Sequence, residues 1–154
     1  MARRTGPGQA RDPEESQVSD PTQPEVADVE LRLRADLVNL PVVRGVAAAV
    51  AMAADFTVDE IADLRLAVDE VCSQLIVLAA PSADLECRFT RVPGTDRCTE
   101  VVFHASTRSR DGRPPATDTF GWHVLRTLAD EVETGLGEGV RPPVHITVRK
   151  RRAR

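Results

Sequence analysis

One helix constrains this chain more than any other segment. Ile61, Leu64, Val68, Val71, Leu75 and Leu78 recur at alternating three- and four-residue steps, the spacing of one apolar stripe laid against a core. Its start is written out: Thr57 and Glu60 fit a capping box, and Phe56 and Ile61 are placed for a hydrophobic staple. The helix is expected to run to about Ala79, with Pro81 as its stop. Glu70 and Gln74 lie four apart, so they are surface neighbours one turn from each other. Glu70 borders the stripe rather than opposing it, at the rim of whatever packs on the helix.

The elements around this helix set the fold class. Residues 1–28 carry Pro7, Pro13, Pro21 and Pro24 among charges and small polar groups, a composition expected to stay disordered. The domain is expected over residues 29–150, with 151–154 as a basic tail. Leu31-Arg32-Leu33-Arg34-Ala35 alternates like a strand with one wet face. A helix follows, with Asn39 as cap, Pro41 early in it, and Leu40, Val43, Ala47 and Val50 inward. After the long helix, strands are expected over Leu85–Arg91 and Glu100–Ala105, joined through the Pro93-Gly94 turn. Polar residues from Ser106 to Asp118 read as a loop, and Thr119–Val132 as a short helix with Trp122, Leu125 and Ala129 inward. Strands over Glu133–Leu136 and Val144–Arg149 close the chain. This order predicts an α+β, two-layer sandwich with helices on one face of a mostly antiparallel sheet.

Composition removes several functions. At 154 residues the chain suits one domain, and its four Phe, one Trp and no Tyr require an aliphatic core and give no base-stacking surface. A net charge of −4 disfavours general nucleic-acid binding, and the basic end from Arg149 to Arg154 reads as a solvated tail. No stretch has the length of a membrane span and no signal-peptide core is seen, so a cytoplasmic location is expected. Cys72, Cys87 and Cys98 lack paired metal-ligand spacing and read as small apolar residues in a reducing compartment. His104, His123 and His145 sit in different elements with no zinc spacing. No phosphate loop or nucleophile elbow is present. Gly121, at the start of the third helix, is placed where backbone can approach an anion, and a simple turn explains it equally well.

Ala62–Ile76, Phe120-Gly121-Trp122-His123-Val124-Leu125 and Leu128–Val132 together resemble the RsbW-type anti-sigma factors. These are small members of the GHKL superfamily, which includes histidine-kinase and Hsp90-like ATPase domains. The resemblance is closest to actinobacterial, UsfX-like members and covers roughly residues 29–150. It implies a Bergerat-type sandwich and a homodimer. The implied partners are a sigma factor, held away from core RNA polymerase, and an anti-anti-sigma (STAS-domain) protein that frees it. Typical members phosphorylate that antagonist on Ser or Thr, with ATP and Mg as cofactors.

Carried over by this resemblance, Glu70 matches the catalytic base of an E-x-x-x-N box. Gln74 stands at the Asn position, as nucleotide-binding residue and metal ligand, one methylene too long for the strict geometry magnesium demands. The D-x-G-x-G box has no Asp in register after the strand Val101–Ala105; Asp111-Gly112 is a displaced counterpart. The glycine-rich third box keeps Gly121 alone, beside the bulky Trp122. Three altered boxes imply weak or absent nucleotide binding, hence an anti-sigma factor working by sequestration of a stress- or development-type sigma-70-family factor. The alternatives are an active Mg-ATP-dependent serine kinase of the same fold, and another transcription-regulating module using Arg149–Arg154.

Overall fold

The computed structural model describes residues 28–93 and 99–153. All of the tail expected over residues 1–28 except Asp28, and with it the Gly94 turn and Cys98, lies outside the described residues. Strand β1 (Val29–Arg34) leads through a 3-10 turn (Leu37–Asn39) into helix α1 (Leu40–Ala53), followed by α2 (Val58–Leu78). Then come β2 (Asp84–Pro93), β3 (Thr99–Arg108), α3 (Phe120–Leu128), β4 (Glu131–Leu136) and β5 (Pro143–Arg151). The strands form one antiparallel sheet in the order β1-β2-β3-β5-β4, with the helices on one face, the expected α+β sandwich.

The helix faces follow the apolar periodicity. Leu40, Val43, Ala47 and Val50 of α1 are buried, as are Leu64, Val68, Val71 and Leu75 of α2. Opposite them the strands alternate: Leu85, Cys87 and Phe89 of β2, Val101, Phe103 and Ala105 of β3, and Val144, Ile146 and Val148 of β5 turn inward. Phe89 and Phe103 meet at 4.7 Å between ring centroids, an aromatic contact within a mostly aliphatic core.

Helix starts are fixed by side chains. Both halves of the α2 capping box are present: Glu60 Oε2 accepts from Thr57 N at 2.7 Å, and Thr57 Oγ1 accepts from Glu60 N at 3.2 Å. Asn39 departs from expectation. It makes no side-chain cap; its Nδ2 donates to Arg34 O at 2.9 Å. Asp36 instead caps the preceding 3-10 turn, accepting from Val38 N at 3.0 Å.

The C-terminal half departs further from the expected boundaries, because sheet pairing competes with local pattern. Helix α3 ends at Leu128 rather than Val132, and Ala129 is already extended at φ −113° and ψ 154°. The reason is the edge of the sheet: Asp130 N donates to Arg149 O at 2.9 Å, and β4 pairs with β5 from Glu131. Strand β3 runs through Ser106 to Arg108, the first part of the expected loop. Thr107 is buried there because its hydroxyl donates to Asp84 O at 2.8 Å. As far as Arg151 the basic end belongs to the sheet rather than to a solvated tail. Strand β5 continues to Arg151, and Arg149, Lys150 and Arg151 pair with Glu100, Asp63 and Glu131.

Candidate functional site

Helix α2 holds the carboxylate–amide pair half-buried, and the helical spacing closes it. Gln74 Nε2 donates to Glu70 Oε1 at 2.9 Å. A carboxylate only accepts, so the amide must present its NH2 and turn its own oxygen away.

Helix α3 brings Gly121 onto this pair. Thr119 caps α3, its Oγ1 accepting from Trp122 N at 3.2 Å, and Trp122 and Leu125 anchor the helix in the core. That fixes Gly121 in the first turn, facing α2. A Cβ on Gly121 would stand 2.9 Å from Gln74 Nε2 and 3.0 Å from Glu70 Cδ, with Glu70 Oε1 nearer still. The space a side chain would take is already filled by the Glu70 carboxyl, so only glycine fits without movement. The carboxylate thus lies at the N-terminal end of α3, where the helix dipole favours negative charge.

Asp111 and Gly112 are placed elsewhere. Gly112, at φ +70°, donates its N–H to Ser109 Oγ at 2.9 Å, and a Cβ there would meet Pro142. Asp111 lies 3.7 Å from Arg113 Nε. The structure therefore gathers Glu70, Gln74 and Gly121, and sets Asp111-Gly112 against the β4–β5 connection.

The Glu70 carboxyl fills the place a methyl group on Gly121 would take, so a phosphate approaching the backbone at this point would require that side chain to move. The Glu70 oxygen facing Gln74 is already engaged.

Spacing alone missed several other features. Glu60 is 8% exposed, and besides its cap its Oε1 accepts from Ala153 N at 2.6 Å, tying the end of β5 to the start of α2. Burial pushes the Glu60 carboxyl up, but the N–H groups of Thr57 and Ala153, the Thr57 side chain and the Lys150 charge outweigh it and hold it below its ordinary 4.5. Lys150 Nζ bridges Asp63 Oδ2 at 3.2 Å and Leu128 O at 2.9 Å, fastening the C-terminal end of α3 to α2.

On the open sheet face, strand register brings His104 and His145 to 5.2 Å between ring centroids. His104 Nδ1 shares a hydrogen with Thr147 Oγ1 at 2.7 Å. Burial, then the charges of His145 and Arg88, push the His104 pKa below its usual 6.5. Cys72 and Cys87 are buried free thiols. Their mutual hydrogen bond, burial and the charges of Cys87 and Asp69 raise the Cys72 pKa, which makes it an unreactive core residue. Among the described residues no cluster of three or more His, Cys, Asp or Glu is arranged to hold a metal, and no helix is long and apolar enough to cross a membrane.

Fold and seam together define a class: an α+β two-layer sandwich consistent with the GHKL type, whose central helix sets a carboxylate and an amide against the N-terminus of a short third helix. No family model matches the chain. Over 133 residues it is 41% identical to the anti-sigma-F factor RsbW of Mycobacterium tuberculosis, in two strains alike, covering 83% of this chain and 76% of that protein. The chain belongs to the RsbW family of anti-sigma factors.

Proposed function

We propose that this protein sequesters an alternative, stress- or development-type sigma-70-family factor in a stoichiometric complex. In this reading it acts as a cytoplasmic homodimer, and an unphosphorylated anti-anti-sigma (STAS-domain) protein releases the sigma factor. The observation that carries it is the 41% identity to an anti-sigma factor over 83% of the chain. Binding rather than catalysis is supported by the filled space beneath Gly121 and by the distance in fold between Asp111-Gly112 and the Glu70–Gln74 pair. ATP and Mg then bind weakly or not at all. Exposed apolar side chains supply area for partners: Leu37, Val38 and Val42 before and along α1, and Leu66, Val77 and Phe120 on α2 and α3.

The test is retention of partners. The tagged full-length chain, drawn from its native cytoplasm and analysed by mass spectrometry, should hold a sigma-70-family protein; retaining none contradicts the proposal. One observation favours a second reading, an active serine kinase: Glu70, Gln74 and Gly121, far apart in sequence, share one seam. Phosphate transfer from Mg-ATP to a STAS-domain protein, abolished by Glu70→Ala, would establish it. Arg149, Lys150 and Arg151 are engaged in ion pairs, which weighs against a nucleic-acid-contacting role for the basic end.

A further inference from the structure

The length of one side chain accounts for the closed seam. With its two methylenes Gln74 reaches back one turn to Glu70 at 2.9 Å. An asparagine in its place would end about 1.5 Å short, one C–C bond, and that contact would pass beyond hydrogen-bonding reach. The carboxylate so held lies against the first turn of α3, where it leaves no room beside Gly121. We propose that Gln74 is a positioning residue: it holds the Glu70 carboxylate against Gly121 and thereby keeps the α2–α3 seam shut to a phosphate-bearing ligand. This rests on the reading of the seam as a reduced nucleotide site.

The fastening of α3 is unequal at its two ends. Its C-terminal end is tied by Lys150 to the Leu128 carbonyl and by the fully buried Leu125. Its N-terminal end follows exposed residues 116–120; there Trp122 is seated in the core, and Gly121 beside it rests on Glu70 and Gln74. Freed from Gln74, the carboxylate can swing into solvent, and the seam opens from the Gly121 end.

Trp122, the chain's single tryptophan and next to Gly121, reports on that end directly. Tryptophan emission and Mg-ATP calorimetry on the full-length wild type, Gln74→Asn and Gln74→Ala test the inference. The wild type should give no saturable binding at millimolar Mg-ATP. Gln74→Asn should bind roughly tenfold more tightly or better, and both variants should show red-shifted emission before nucleotide is added. Wild-type emission and wild-type affinity in Gln74→Asn overturn the inference. A red shift in both variants without any gain in affinity overturns the nucleotide reading on which it rests. Low-micromolar Mg-ATP binding by the wild type overturns the shut seam itself.

Discussion

Replacing Glu60 by alanine tests how the end of the chain is coupled to its central helix. The carboxylate is 8% exposed and accepts from Thr57 N at 2.7 Å and Ala153 N at 2.6 Å. Loss of the reciprocal cap costs about 1 kcal/mol. Loss of a charge-assisted bond to the Ala153 N–H adds about 1–2 kcal/mol, the lower end applying because residue 153 is exposed enough to rehydrate. Glu60→Ala should therefore lower unfolding free energy by about 2–3 kcal/mol in urea titrations near neutral pH. Glu60→Gln, which keeps one acceptor, should lose about half as much.

The same residue carries a pH signature with a fixed sign. Its folded pKa is held below 4.5, so the unfolded chain binds the proton more readily. The stabilisation is complete above that ordinary value and is lost as pH falls through the folded pKa. The gap between wild type and Glu60→Ala should accordingly narrow in acid. A neutral-pH difference under about 0.5 kcal/mol, or one that persists unchanged well below pH 4.5, would refute the reasoning.

Other expectations follow from the same geometry. Gly121→Ala places a methyl against Glu70 and Gln74, but the obstacle is a flexible side-chain end and alanine favours helix. Its stability should change by less than about 1 kcal/mol while Trp122 emission shifts; unchanged emission would contradict the contact. Lys150→Ala removes the tie between Asp63 and Leu128 O and should cost about 1–2 kcal/mol by thermal or urea unfolding. Deleting Arg149–Arg154 should cost more, since it also removes the last register pairs of β5 with β3. His104 has a folded pKa below 6.5, so protonation favours the unfolded chain and stability should fall as pH drops through that region. His104→Gln should flatten that slope, as read from unfolding midpoints across mildly acidic buffers.

Helix α1 and the stripe of α2 were legible in sequence because their apolar periods matched the buried face, with Ile61 and Leu78 at the ends of the α2 stripe only partly buried. The capping box was legible because it is local. What failed was decided by partners far along the chain. Ala129 and Val132 continue a helical period, yet the free edge of β5 draws Glu131 onward into a strand. Ser106 and Thr107 are polar, yet they extend β3 because the backbone of β2 and β5 satisfies them. Arg151 has the composition of a tail, but Glu100 and Glu131 on neighbouring strands hold it in the sheet.

The candidate site divides the same way. Glu70 and Gln74 are neighbours by helical spacing alone. Gly121, from another helix, could be joined to them only through family resemblance. That resemblance did not anticipate how closely it packs, because packing depends on the seating of Trp122 and Leu125 in the core.

The central claim is sequestration without need of nucleotide, and size-exclusion chromatography with light scattering measures it most directly. The purified full-length chain, mixed with its sigma factor in nucleotide-free buffer, should form a stoichiometric complex whose sigma factor no longer joins core RNA polymerase. Absence of a complex until Mg-ATP is added, or a complex that still assembles with core polymerase, would contradict the account.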